Sequence, residues 1–186
     1  MSAAQSTPGA TGAHTTDGTP HGFTSLTPFL AVVDAAGALD FYGRVLGATL
    51  VDRTEMPEPD GTPVVVHATL DLGRGRLQVG EANPAFHLVP PPAGEDDCYS
   101  LGLYVPDVDA VVARAVEAGA TVREPATDFA SGDRYASIRD PFGVRWSIMT
   151  RVEDLSDEES AARVEDLSDE ESAARVAQWA ASLSGQ

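Results

Sequence analysis

The middle of this chain is written twice, and that repetition constrains its fold more than any other feature. Residues 68–79 read ATLDLGRGRLQV and residues 136–148 read ASIRDPFGVRWSI. Each is a short alternating strand, a glycine-containing turn and a second alternating strand. The match runs upstream: TPFLAVVDAAGALDFYGRVLGATL at 27–50 aligns with SLGLYVPDVDAVVARAVEAGATV at 100–122, with one residue of slack. Each copy predicts a strand, an aspartate-capped helix, a glycine stop, a strand and a hairpin. One βαβββ unit cannot bury its own apolar face, so two are expected to share a core. The predicted fold is α+β, two βαβββ modules in one cupped mixed β-sheet, with a helical C-terminal extension.

The modules are expected at about 25–82 and 98–150, within a domain at 23–150. In the first, a strand at 27–33 leads to Asp34, a helix to Leu46, and Gly47; strands follow at 48–53, 63–72 and 75–81. TEMPEPDGTP between the second and third strands reads as a loop. In the second module Asp107 caps a helix whose Val108, Val111, Val112, Ala115 and Val116 share one face. Strands are expected at 98–105, 120–124, 134–139 and 144–150. Residues 1–22, rich in Gly, Thr, Pro and Ser, read as a disordered leader, in which His14 and His21 carry no function.

The tail at 151–186 is acidic and contains a different repeat. RVEDLSDEESAA occurs identically at 151–162 and 163–174. Such identity argues for a recent tandem duplication. Each copy carries a capping box, Ser156 with Glu159 and Ser168 with Glu171, so two short helices are expected. A 12-residue period does not close on 3.6, so the copies cannot present the same face to the core.

The formal net charge is −17, and residues 151–174 alone hold ten acids against two arginines. So acidic a surface repels phosphate backbones and anionic lipid, which argues against nucleic-acid and membrane partners. A single cysteine, Cys98, excludes an intrachain disulfide and fits a reducing cytoplasm.

Period-two alternation sorts the strand residues into two faces. Leu77 and Val79 belong to the helix side, so Gln78 faces away. Trp146 and Ile148 are their repeat equivalents, which leaves Arg145, Ser147 and Met149 on the other face. Val66, Ala68 and Leu70 leave His67 and Thr69; Ala136 and Ile138 leave Tyr135, Ser137 and Arg139; Leu101 and Leu103 leave Ser100, Gly102 and Tyr104. Leu30 and Val32 leave Thr27 and Phe29. The face not covered by helices is therefore expected to be a mixed aromatic and polar cup: Phe29, His67, Gln78, Tyr104, Tyr135, Arg145 and Ser147, with Arg134 nearby.

The DFYxxxLG helix end at Asp40–Gly47, the GDRYASIRDPFGVRWSI hairpin at 132–148 and the VEDLS that follows resemble the vicinal oxygen chelate superfamily, the glyoxalase and bleomycin-resistance fold, in its small bacterial glyoxalase-like members. The resemblance covers roughly 25–160. It implies one metal-ligand position on each of the first and last strands of both modules. Those positions fall on Thr27, Gln78, Ser100 and Ser147, where the family's enzymes usually have His, Glu or Gln. Two serines, a threonine and a neutral amide make a poor divalent site, so no metal and no other cofactor is expected.

Each candidate has a plainer alternative. His67 reads as a general base or ligand donor, or as a rim histidine satisfied by a neighbour. Arg134 and Arg145 read as anchors for a ligand carboxylate or phosphate, or as salt bridges to Asp133 or Asp140. Phe29, Tyr104 and Tyr135 read as stacking walls for a planar ligand. Trp146 reads as core, Asp140–Gly143 as a hairpin turn, and Cys98 as a small buried residue. Phe86, His87 and Phe129 sit in loops that could close as lids. The expected function is metal-independent small-molecule binding by a homodimer. The alternatives are a glyoxalase-, lyase- or dioxygenase-type enzyme, either binding metal through ligands other than those four or working without it through His67, Tyr135 and Arg134, and a structural homodimer with a vestigial cup.

Overall fold

The computed structural model describes residues 8–58 and 60–165. A short hairpin of β1 (Thr15–Thr16) and β2 (Thr19–Pro20) precedes the modules. The first module comprises β3 (Phe29–Val32), α1 (Ala35–Leu46), β4 (Thr49–Pro57), β5 (Pro63–Asp71) and β6 (Arg76–Glu81). The second comprises β7 (Ser100–Tyr104), α2 (Val108–Glu117), β8 (Thr121–Asp128), β9 (Asp133–Arg139) and β10 (Arg145–Arg151). The 3-10 turn Pro84–Phe86 lies between them, and α3 (Asp157–Glu165) follows.

Both modules build the same four-stranded sheet, in the orders β3-β6-β5-β4 and β7-β10-β9-β8. The first and last strands of each module run parallel, and the other pairs are antiparallel. The repeat holds in register. Phe29 lies opposite Gln78 as Gly102 lies opposite Ser147, and Ala31 opposite Gly80 as Tyr104 opposite Met149. Both helix starts are capped as their aspartates predict: Asp34 accepts from Gly37 N at 2.8 Å and Asp107 from Ala110 N at 3.0 Å. Gly47 takes the left-handed conformation that ends α1, with φ of 73°.

The helix sides of both sheets share one core, including Leu30, Val32, Leu70, Leu77 and Val79 from the first module and Ala136, Ile138, Trp146 and Ile148 from the second. Helix α1 joins the modules. The Tyr42 hydroxyl donates to Asp140 Oδ2 across 2.8 Å, and its ring meets Trp146 edge-on at 5.4 Å. Phe41 and Tyr42 both contact Phe142. Arg114 of α2 donates to the Val45 carbonyl at 3.1 Å. Trp146 is 2% exposed, as expected for a core residue.

This packing changes the expected architecture in one respect. The eight strands form two sheets rather than one continuous cup, and no Cα of one sheet comes within 8 Å of the other. Because the two helix sides meet in the middle, the two uncovered faces point outward.

Smaller differences have local causes. The leader is not structureless from residue 8: Asp17 and Gly18, with φ of 47° and 80°, form the two-residue turn of a hairpin, an Asp-Gly signal present in the sequence. Strands β4 and β8 run on to Pro57 and Asp128. Both are outer strands, and every described residue of β4 is exposed, so there is no hydrophobic alternation to mark its length. A register shift between Thr54 and Glu55 buries Val65 and leaves Val66 half-buried. Cys98 is exposed rather than buried, because it precedes β7 in an irregular segment.

The first tail copy docks on the second module. Val152 and Glu153 donate to the Gly132 carbonyl, Ser160 donates to the Ser131 carbonyl at 2.9 Å, and the Leu155 side chain covers Gly132. The capping box forms: Ser156 N donates to Glu159 Oε2 at 2.9 Å, and Glu159 N to Ser156 Oγ at 3.2 Å. The second box, Ser168 with Glu171, lies outside the described residues. No helix among the described residues is long and apolar enough to cross a membrane.

Candidate functional site

The two outward faces hold separate halves of the residue set singled out from the sequence. On the first sheet, Phe29 projects from edge strand β3 and leans over Gly80. A Cβ on that glycine would stand 2.8 Å from the Phe29 ring. The His67 ring lies 6.1 Å away, centroid to centroid. His67 Nδ1 stands 3.4 Å from Asp52 Oδ1 on the neighbouring strand, so a carboxylate partners this histidine. Gln78, half-buried, pairs with Phe29 across the β3–β6 ladder.

On the second sheet the small and large residues are exchanged. Gly102 takes the place of Phe29, and Met149 that of Gly80, with the methionine methyl lying against Gly102. The hydroxyls of Ser100 and Ser147 lie 2.8 Å apart. Arg145 donates through Nε to Ser137 Oγ at 2.9 Å, and also bonds Glu124. Tyr135 donates to the same Glu124 carboxylate at 3.3 Å and meets Phe129 edge-on at 5.5 Å. Glu124, Phe129, Ser131, Asp133, Tyr135 and Met149 line an open pocket of about 340 Å³.

Tyr104 lies on edge strand β7 and is 57% exposed; Phe29, on the opposite module's edge, is 36% exposed. Among the described residues, both edge strands are hydrogen-bonded to a neighbouring strand on one side only. Alongside β7 runs a trough of about 680 Å³, walled by Leu26, Pro28, Leu72, Leu77, Leu101 and Leu103 among others.

Arg134 does not join either half. It is on the helix-side parity of β9 and clamps Asp109 of α2 through two contacts of 2.7 and 2.8 Å, with a third at 2.8 Å to Asp128. These bonds hold the Asp109 carboxyl below its ordinary value and raise the guanidinium further. The salt-bridge alternative therefore describes Arg134, with Asp109 and Asp128 as partners rather than Asp133 or Asp140. Arg145 is likewise paired, with Glu124 and, at 3.4 Å, Asp97. Phe86 is 74% exposed on its 3-10 turn, and His87 takes a left-handed φ of 59°; neither covers a sheet face.

The positions that the family resemblance assigns to metal do not suit one. Ser100 and Ser147 share a hydrogen bond with each other, and Gln78 and Thr27 offer only an amide and a hydroxyl. Among the described residues no three His, Cys, Asp or Glu side chains converge.

Sequence reasoning missed the acidic partners Asp52, Asp97 and Glu124, which lie on outer strands or in the irregular connection. It also missed the exchange of Phe29/Gly80 for Gly102/Met149, although the repeat alignment carries that signal.

Several known proteins are similar to this chain. Mb0911c, an uncharacterized protein of Mycobacterium bovis, is 35% identical over 142 residues, covering 74% of this chain and 90% of its own length. Rv0887c, an uncharacterized protein of Mycobacterium tuberculosis, is also 35% identical, with 74% and 81% covered. Among solved structures, TioX from Micromonospora sp. ML1 matches at 29% identity with a TM-score of 0.53, over 69% of this chain and 98% of TioX. Protein PA1353 of Pseudomonas aeruginosa shares the fold at 24% identity and a TM-score of 0.55, over 68% of this chain and 97% of its own. The family model for the Glyoxalase/Bleomycin resistance protein/Dioxygenase superfamily matches residues 13–148. The paired modules and that match place the chain in one family: it belongs to the glyoxalase/bleomycin-resistance/dioxygenase superfamily.

Proposed function

We propose that the protein is a metal-independent small-molecule-binding member of this superfamily, and that it works as a homodimer in which each ligand cup is built from two chains. The observation that carries this reading is the outward direction of the two candidate faces. Phe29, His67 and Gln78 lie on one, Tyr104, Tyr135, Arg145 and Ser147 on the other, and a shared helical core separates them. A second copy can lay its first-module face against the second-module face of its neighbour. That would cover the exposed edges β3 and β7 and the apolar trough beside β7. Aromatic walls with a few fixed polar groups suit a planar or amphipathic organic ligand.

Sedimentation at physiological salt tests the assembly; a clean monomer at high micromolar concentration overturns it. A thermal-shift screen of aromatic acids supplies a probe ligand. Phe29→Ala and Tyr135→Ala should each abolish its binding. Mixed dimers of the two variants should recover one intact site in each dimer. Binding that survives in either variant, or no recovery in the mixed dimer, rejects the shared cup. Elemental analysis without chelator tests the metal reading: about one divalent metal per chain, lost in Gln78→Ala, rejects it.

One observation favours a second reading. His67 held by Asp52 at 3.4 Å on a ligand-facing surface is also the arrangement of a general base, the alternative being an enzyme of the same superfamily. Turnover of a bound compound, lost in His67→Gln without loss of binding, would establish it.

A further inference from the structure

Three guanidinium groups converge on one buried carboxylate at the end of the second sheet. Asp97 has a side chain only 9% exposed and lies in the irregular connection between the modules. Arg139 Nε stands 3.2 Å from its Oδ1; Arg145 Nη1 and Arg123 Nε stand 3.4 and 3.7 Å from its Oδ2. Arg139 and Arg145 belong to β9 and β10, and Arg123 to β8, so the rigid sheet presents all three. The strap that carries Asp97 is held by main-chain bonds as well. Arg139 donates to the carbonyls of Pro92 and Gly94, and Arg123 to the carbonyl of Glu95 and to its carboxylate.

Asp97 fills this cradle poorly. Its Oδ1 and the Arg123 Nε are both buried without a hydrogen bond of proper geometry. Arg134 and Asp109, by contrast, make two contacts of 2.7 and 2.8 Å on an exposed surface. Buried guanidiniums are usually matched in pairs of parallel bonds. A carboxylate on a free molecule could turn to meet them; one tethered to an extended strap cannot. The cradle also adjoins the candidate ligand face. Arg145 reaches Ser137 from one side of its guanidinium and Asp97 from another, and Glu124 links it to Tyr135.

We propose that Arg123, Arg139 and Arg145 form a binding site for the carboxylate of an organic ligand, and that Asp97 occupies it as an internal stand-in until the ligand displaces it. This rests on the small-molecule reading above and specifies the anionic group and its anchor. With Asp97 displaced, the three guanidiniums outnumber the two carboxylates that stay on them, Glu95 on Arg123 and Glu124 on Arg145, and in a chain of net charge −17 that local positive excess would draw an organic acid to this face. The stand-in also sets a threshold, because the apparent affinity falls by the fraction of molecules whose cradle is open.

The test is titration of the full chain with sodium benzoate at fixed ionic strength, followed by calorimetry, with inorganic phosphate in parallel. Asp97→Asn should bind benzoate roughly tenfold or more tightly than the natural chain. Adding Arg139→Gln should remove the gain. In the natural chain, saturating benzoate should speed amide exchange at residues 94–98, which keeps the idea testable if Asp97→Asn folds poorly. Equal benzoate affinity in the natural chain and Asp97→Asn, or unchanged exchange at 94–98, overturns the proposal. Phosphate binding in preference to benzoate overturns the carboxylate assignment. Benzoate binding that is lost in Tyr135→Ala but untouched by Arg139→Gln overturns the cradle while leaving the small-molecule reading in place.

Discussion

Trp146 donates its indole N–H to Asp140 Oδ2 across 2.9 Å, and the same oxygen accepts the Tyr42 hydroxyl at 2.8 Å from the other module. The second oxygen accepts the amides of Phe142 and Val144, each at 2.9 Å. One buried carboxylate in the RDPFG turn therefore fixes its own hairpin, the indole beneath it and helix α1 of the other module. Trp146→Ala removes the largest fully buried side chain among the described residues and one of these four donors. A loss of about 3–5 kcal/mol is expected in urea unfolding. Full stability with abolished ligand binding would mean that the two faces of β10 are inverted.

The same carboxylate should leave a signature in pH. Burial pushes the Asp140 carboxyl above its ordinary 3.8, against the downward pull of its four donors. A raised folded-state value gives stability that is complete below 3.8 and is lost as pH rises through the folded value. Asp140→Asn cannot titrate. It also turns an N–H toward the Trp146 donor, at a cost of about 1–3 kcal/mol. The stability difference between the natural chain and Asp140→Asn should be largest at the acid end and shrink as pH rises. A difference that is flat from pH 4 to 8, or that grows, contradicts it; parallel unfolding curves of the two proteins across that range would show which.

Most of the fold was legible because it rests on signals that repeat. Asp34 and Asp107 both cap helices, Leu77 and Val79 share a face as Trp146 and Ile148 do, and the two ladders keep one register. The arrangement of the modules was not legible. Alternation tells which face of a strand is apolar, but not whether two apolar faces meet each other through their helices. That is set by Tyr42, Phe41 and Phe142, whose contact spans about a hundred residues of sequence. The site was legible by face and not by partner. Tyr135, Arg145 and Ser147 lie where parity puts them, whereas the acids that hold them come from outer strands and a connection without periodicity. The sequence sets Arg134 beside the candidate site, but its parity is that of Ala136 and Ile138, and its two bonds to Asp109 of α2 agree with that parity.

Gly80 is where the first module makes room for Phe29. A Cβ there would lie 2.5 Å from the Val66 carbonyl oxygen and 2.8 Å from the Phe29 ring. Gly80→Ala should cost about 1–3 kcal/mol, because the carbonyl belongs to the central strand β5 and cannot move freely. Adding Phe29→Ala should recover only part of the loss, since it relieves the ring and not the backbone. Full recovery in the double variant, measured by thermal unfolding, would show that the ring alone sets the limit.

The duplicated tail should be dispensable in its second copy and not in its first. Among the described residues, the contacts that dock the tail on the second module come from residues 151–162: the two amides on the Gly132 carbonyl, Ser160 on Ser131, and Leu155 over Gly132. Deleting 163–174 rejoins residue 162 to an arginine, because the repeat is identical, and it removes five acids and one arginine. The melting temperature should move by less than about 3 °C, as for a surface change. Leu155→Asp in the full chain should lower stability by about 1–2 kcal/mol, because it places a charge against the backbone of Gly132 where an apolar side chain is half-buried. If the deletion costs more than Leu155→Asp, the second copy contributes to the core and the duplication is not a passive one.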